Sequence, residues 1–115
     1  MSSFSWQGAS GRWYEFDVAR AKRAWDSIGG LYMFVKPGAG QHIEGAGPVI
    51  LFLAKTNDFA QTLAMHSMWA SAQGLGAAEI HLIHIPDEQM RAHVEKDLLE
   101  AQAPILNRQM PRKAA

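Results

Sequence analysis

Apolar and polar positions divide the chain into short blocks with two different periods. Residues 12–17 (RWYEFD) alternate, with Trp13, Glu15 and Asp17 on one side and Tyr14 and Phe16 on the other, which predicts an edge strand. From Val18 to Trp25 the spacing becomes helical, and a short helix is expected with Val18, Ala21 and Trp25 inward and Arg20, Lys22 and Arg23 outward. Residues 31–36 (LYMFVK) predict a strand closed by Pro37, which has no ladder donor. Residues 49–54 are six apolar positions in a row, the length of a strand buried on both faces. The glycine-rich stretch 38–47 between them is expected to be a flexible hairpin loop, so that the second strand returns antiparallel to the first. It lacks the lysine–serine/threonine ending of a phosphate-cradling loop, and a strand follows it where that loop requires a helix.

Lys55 ends the second strand, and Thr56, Asn57 and Asp58 supply short side chains suited to the free N–H groups of a helix start. From Phe59 the period is helical. Phe59, Leu63, His66 and Ala70 share a face, Thr62, His66 and Trp69 the neighbouring stripe, and one helix of about four turns is expected, stopped at 73–76 (QGLG). Residues 78–85 (AEIHLIHI) read as a third core strand. His81 and His84 stand three apart and point to opposite faces, one packed and one exposed, so they do not form a shared metal pair. Asp87 caps a last helix with Met90, Val94, Leu98 and Ala101 inward, and Pro104 ends it before a short return segment, Ile105-Leu106-Asn107. Residues 1–10 are expected to be a tail pinned by Phe4 and Trp6, and residues 109–115 a loose basic tail.

Composition narrows the function classes. The 115 residues are 48% hydrophobic, enough for one domain with a real core. No cysteine is present, which removes disulfides, thiolate metal sites and cysteine nucleophiles together. No segment has the length of a membrane span and no signal pattern opens the chain, so the expected location is the cytoplasm, away from membranes. Eleven basic residues balance eleven acidic ones. A dedicated non-specific nucleic-acid binder normally carries a basic excess, although a local patch remains compatible with this balance.

Several blocks then fall into a familiar order. Gly30-Leu31-Tyr32 stands on one strand and Phe52-Leu53-Ala54 on the next. TNDFAQTLAMH opens the following helix, Glu95 lies in RAHVEKDLL, and PILN closes the series at Asn107. In order, spacing and element type the set resembles the GIY-YIG nuclease domain over residues 29–108. The resemblance implies an α+β fold, a small three-stranded antiparallel sheet flanked by helices, with residues 1–28 as a strand-and-helix extension. It also implies Mg²⁺-dependent cleavage of DNA phosphodiesters. Tyr32 matches the tyrosine of the first half-motif, Phe52 the tyrosine of the second and Ala54 its glycine. Thr62 stands in the place of the catalytic arginine, His66 matches a histidine of many members, Glu95 the metal-binding glutamate, and Asn107 the terminal asparagine.

The departures bear on activity. Phosphodiester cleavage needs an oriented water or base, a metal, and a fixed cation for the charge that develops in the transition state. Tyr32 offers a hydroxyl, His66 a proton carrier, and Glu95 a hard oxygen ligand for Mg²⁺. Thr62 has neither the charge nor the reach of an arginine, a group worth about 10³–10⁵ in rate when aimed at a transferring phosphoryl. Lys55 is the nearest cation by sequence, but it is a point charge where arginine is a two-pronged fork. Each residue also has an ordinary reading: Tyr32 and Phe52 as packed strand residues, Thr62 and His66 as satisfied polar groups, and Glu95 paired with Arg91 or Lys96. Three functions are therefore carried forward. The first is a GIY-YIG-like domain with little or no nuclease activity that binds DNA or a protein partner. The second is an active metal-dependent endonuclease whose cation comes from Lys55, Arg91 or the N-terminal bases. The third is a protein interaction module anchored by Trp6, Trp25 and Trp69. The sequence leaves the oligomeric state open.

Overall fold

A computed structural model of the protein describes residues 2–20, 24–38 and 47–109. Its strands are β1 (Ser2–Gln7), β2 (Trp13–Ala19), β3 (Gly30–Lys36), β4 (Val49–Thr56) and β5 (Glu79–His84), in one antiparallel sheet of spatial order β1-β2-β5-β3-β4. Its helices are α1 (Phe59–Ala64), α2 (Ser67–Gly74), α3 (Glu88–Gln102) and the single turn α4 (Ile105–Gln109). The fold is α+β, and its sheet has five strands where three were expected. The three expected strands are the contiguous set β5-β3-β4, with β3 in the middle, and β4 returns antiparallel to β3 as the sequence predicts. Most of the expected glycine loop lies outside the described residues.

Gly30 opens β3 at its closest approach to β5. A Cβ there would collide with the Ile83 carbonyl oxygen, so only glycine lets the two strands pair at this point. Along β3 the alternating side chains serve two cores, one on each face of the sheet. Tyr32, Phe34, Ile80 and Leu82 pack with Phe59 and Leu63 of α1, Ala72 of α2 and Leu106 of α4. On the other face Leu31, Met33, Val35 and Leu53 pack with Val94 and Leu98 of α3 and with Trp6 and Phe16. A bulge in β4 shifts the register from Phe34↔Phe52 to Val35↔Ile50, so Leu51 is an extra residue and joins Phe52 on the α1 face.

The outer edge of β4 is closed by side chains. Asn107 accepts the Leu53 N–H through Oδ1 at 2.9 Å and donates through Nδ2 to the Leu53 carbonyl at 2.7 Å. Two residues along, the Lys55 N–H donates to Glu95 Oε2 at 3.1 Å. Polar clusters secure the other end of the sheet. Asp97 accepts from the Ser10 N–H, the Ser10 hydroxyl and the Tyr14 hydroxyl at 2.8, 2.7 and 2.7 Å, and those two hydroxyls hold its pKa below the ordinary carboxylate value. The Trp6 indole N–H donates to His81 Nδ1 at 3.0 Å, which leaves His81 Nε2 to donate to Glu79. Glu79 in turn pairs with Arg20.

Local expectations fail where distant contacts decide. Residues 2–7, expected to be tail, form β1 because they pair along their whole length with β2. The block 12–17 is an inner strand, and the expected helix from Val18 to Trp25 is absent among the described residues. Val18 and Ala19 continue β2 because they pair with His81 and Ile80, and positions 21–23 lie outside the described residues. The four-turn helix after Phe59 is two helices, broken at His66. Met90 and Ala101 of the expected α3 stripe are exposed, and Asp97 is buried beside Leu98. Trp6 is buried in the core and so offers no surface for an interface, whereas Trp25 and Trp69 are partly buried. No helix among the described residues is long and apolar enough to cross a membrane.

Asn107→Ala leaves two backbone groups of Leu53 without their partner. The expected loss is about 1–3 kcal/mol, the cost of unsatisfied buried polar groups, seen as a lower urea midpoint with an unchanged m-value. An unchanged midpoint would mean that the edge does not depend on this side chain.

Candidate functional site

The half-motif strands bring their aromatic positions together. Tyr32 is paired with Ala54 and Phe34 with Phe52, and the Phe34 and Phe52 rings stack with centroids 5.6 Å apart. His66 is held over them by the break between α1 and α2. Its Nδ1 accepts the Met68 N–H at 3.1 Å, which makes it the N-cap of α2. With Nδ1 used as an acceptor, the neutral ring carries its proton on Nε2, and that N–H donates to the Tyr32 hydroxyl oxygen at 2.7 Å. The imidazole meets Phe34, Phe52 and Tyr32 edge-on at centroid distances of 5.0, 5.3 and 5.4 Å. Trp69 packs edge-on against Phe34 from α2.

This box sets the protonation states. Burial lowers the pKa of His66 and raises that of Tyr32, and the charge of Glu95 pushes Tyr32 up further. Tyr32 is therefore a neutral phenol at any ordinary pH. It serves as a positioned hydroxyl and is unsuited to act as a phenolate base. Glu95 is half-buried, and its pKa is raised by burial, against the opposing pull of the Lys55 N–H and charge.

The remaining sequence candidates lie around the end of β4. The Thr62 hydroxyl, in the arginine's position, bonds the Thr56 hydroxyl at 2.7 Å. Asn107 is committed to Leu53 and one oxygen of Glu95 to Lys55, as described above. Lys55 is exposed and lines a cleft of about 290 Å³ with Thr56, Asn57, Glu88 and Arg91. Arg91 is anchored there by donating from Nε to the Ile85 carbonyl at 2.6 Å and from Nη2 to the Pro86 carbonyl at 3.1 Å. Two zones result: a dry aromatic box holding Tyr32, Phe52 and His66, and a polar cleft holding Lys55 and Arg91. The Thr62 hydroxyl is bonded to the cleft wall through Thr56.

For Mg²⁺ the donor set is thin. Among the described residues no three histidine, aspartate or glutamate side chains converge on one point. Glu95 alone fits as a single carboxylate ligand, the arrangement Mg²⁺ accepts when water and substrate oxygens complete its shell. Sequence reasoning missed Phe34 and Glu88, and it read Trp69 as an interface anchor and Asn57 as a helix-cap candidate. Phe34 carried a signal as an aromatic on the first motif strand, but the cleft carried none, because β4 and α3 are far apart in sequence. No family model, no curated protein and no solved structure matches this chain.

His66 and His81 are both held neutral, with pKa values below the ordinary 6.5 because of burial. The unfolded chain therefore takes up more protons as the pH drops below about 6.5. Stability is at its full value above that pH and falls as the pH is lowered through the folded-state values. Urea unfolding at about pH 7.5 and about pH 5 should show this loss. His66→Asn, which keeps an N-cap acceptor, should reduce it. Equal stability at both pH values would contradict the neutral-histidine assignment.

Proposed function

We propose that the chain is a GIY-YIG-like domain whose phosphodiesterase activity is lost or residual and which binds DNA, with backbone phosphates received at the Lys55–Arg91 cleft. The observation that carries the reading is the Tyr32–His66 hydrogen bond, made where the two half-motif strands lie side by side. Position 62 explains the weak chemistry. A threonine bonded to Thr56 supplies no charge for the transition state, and an arginine there would be worth about 10³–10⁵ in rate.

DNA is favoured over a protein partner by the make-up of the cleft. It offers an arginine fixed by two carbonyls, an exposed lysine and the short polar groups of Thr56 and Asn57, groups suited to phosphate oxygens, against one carboxylate, Glu88. In this reading Glu95 would hold Mg²⁺ through the oxygen not committed to Lys55, and the ion would neutralise phosphate charge. A second reading, a working endonuclease with a recruited cation, is favoured by one specific observation. Arg91 shares the cleft with Thr56, the direct partner of Thr62.

Binding of a short DNA duplex, measured against salt concentration, tests the first reading. Affinity should fall with added salt as counterions are released, and Lys55→Gln should weaken binding and reduce the log–log slope by about one. No binding at low salt, or a slope unaffected by Lys55→Gln, would overturn it. Nicking of plasmid DNA with Mg²⁺ separates the two readings. The parent should stay near background, and Thr62→Arg should raise the rate by about 10³-fold or more if the remaining groups are intact. Strong parental nicking that is abolished by Glu95→Gln, which keeps an acceptor for the Lys55 N–H, would instead establish the second.

A further inference from the structure

The two outer edges of the sheet are treated differently. β4 is closed by Asn107 and Glu95, whereas among the described residues β1 is open over most of its length. In the β1–β2 ladder the Gly8 N–H bonds the Arg12 carbonyl, so Trp6, Phe4 and Ser2 turn their backbone groups toward β2. Ser3, Ser5 and Gln7 turn theirs outward. Gln102 caps the far end by donating to the Gln7 carbonyl, and this is the one side-chain bond to the outer edge among the described residues. The edge from Ser2 to Trp6 carries no charge, no proline and no bulge, the devices that usually prevent strand pairing. At its centre Phe4 is 40% exposed while leaning on Trp6 at 4.9 Å and His81 at 5.9 Å.

We propose that the protein self-associates through β1, two copies pairing antiparallel about a two-fold axis at Phe4 to continue the sheet from one copy into the next. The register follows from the geometry. A two-fold at residue 4 sets Ser3 opposite the partner's Ser5, and both present outward N–H and C=O groups, so these groups are satisfied in pairs. Phe4 then faces the partner's Phe4 in a non-hydrogen-bonded pair, where side chains approach most closely and aromatic pairs are most favourable. A second copy fits this edge better than a charged peptide does. The strand is neutral and self-complementary, and the chain's net charge is zero, so copies do not repel one another. The contact is short for a permanent interface and gives a reversible dimer. The Gln102 cap limits pairing to residues 2–6 and prevents a longer, sliding register.

Sedimentation of the full chain from about 10 μM to about 1 mM, the range of weak association, should show the mass rising toward twice the monomer. Ser5→Pro removes an outward N–H without touching the β1–β2 ladder and should weaken the dimer at least about tenfold, the effect of losing a paired backbone donor. The natural chain has no cysteine, so Phe4→Cys should cross-link to dimer under mild oxidation, since facing Cα atoms lie within disulfide reach, while Trp13→Cys on β2 should not. Hydrogen exchange of the unaltered protein gives a readout free of mutation: the Ser3 and Ser5 amides should exchange more slowly as concentration rises. A monomer at every concentration would overturn the proposal. So would a dimer that ignores Ser5→Pro and leaves Phe4→Cys uncrosslinked.

Discussion

Closure of the β4 edge is the constraint on which the C-terminal third of the molecule depends. An edge strand presents N–H and C=O groups that must find partners or invite other chains. Here the partners are amide and carboxylate side chains from two helices. Asn107 takes both groups of Leu53 and Glu95 takes the Lys55 N–H, so α3 and α4 are tied to the same strand from opposite faces of the sheet. The crossing requires a sharp turn. Ala103 makes it in the left-handed region at φ 41°, its N–H still bonded to the Leu99 carbonyl. A non-glycine residue pays about 1–2 kcal/mol for that conformation. The burial of Leu106 in the α1-face core and the two bonds of Asn107 offset this cost.

The same constraint shapes the candidate site. Glu95 and Asn107 are brought near the half-motif strands by their backbone bonds, and their side chains are partly consumed by them. The chemistry left over separates into a dry zone and a wet one. Tyr32 and His66 sit among Phe34, Phe52 and Trp69, where burial holds both neutral. Lys55 and Arg91 line an open cleft, where charge is tolerated. Position 62 belongs to the cleft side, where its hydroxyl bonds Thr56.

What could be read from the sequence follows the range of the forces involved. The strands β3 and β4 were legible because each is bounded by proline, glycine or a polar turn and is filled by an apolar run, and β5 because β-branched and leucine residues are interleaved with polar ones between a glycine stop and Pro86. The start of α3 was legible because Asp87 caps it locally, accepting the Met90 N–H at 2.9 Å. β1 was not: a serine-rich strand has weak intrinsic preference and exists only through its pairing with β2. The end of β2 was misread for the same reason, its helical spacing losing to strand contacts with residues more than sixty positions away. The break at His66 was hidden because histidine is an uncommon cap. The burial of Asp97 rests on Ser10 and Tyr14, at separations no window can span. Of the candidate site, the strand pairing that sets Tyr32 beside Ala54 and Phe34 beside Phe52 was legible, and the division of the candidates into a box and a cleft was not.

The retained positions do not carry equal weight as signs of chemistry. Asn107 and Glu95 are explained by the edge they close, and Phe52 by its stack on Phe34; no reaction is needed to account for any of them. The Tyr32–His66 contact is different. His66 caps α2 through Nδ1 alone, a task that an asparagine or serine performs equally well. Its Nε2 bond to Tyr32 sits in an aromatic core where two apolar side chains would pack with nearly the same stability, since a buried hydrogen bond returns little beyond what desolvation costs. The fold therefore gains little from holding a phenol and an imidazole together at 2.7 Å. A polar pair that the fold does not require is the feature of this face that packing alone explains least, and the proposed descent from a phosphodiesterase rests on it.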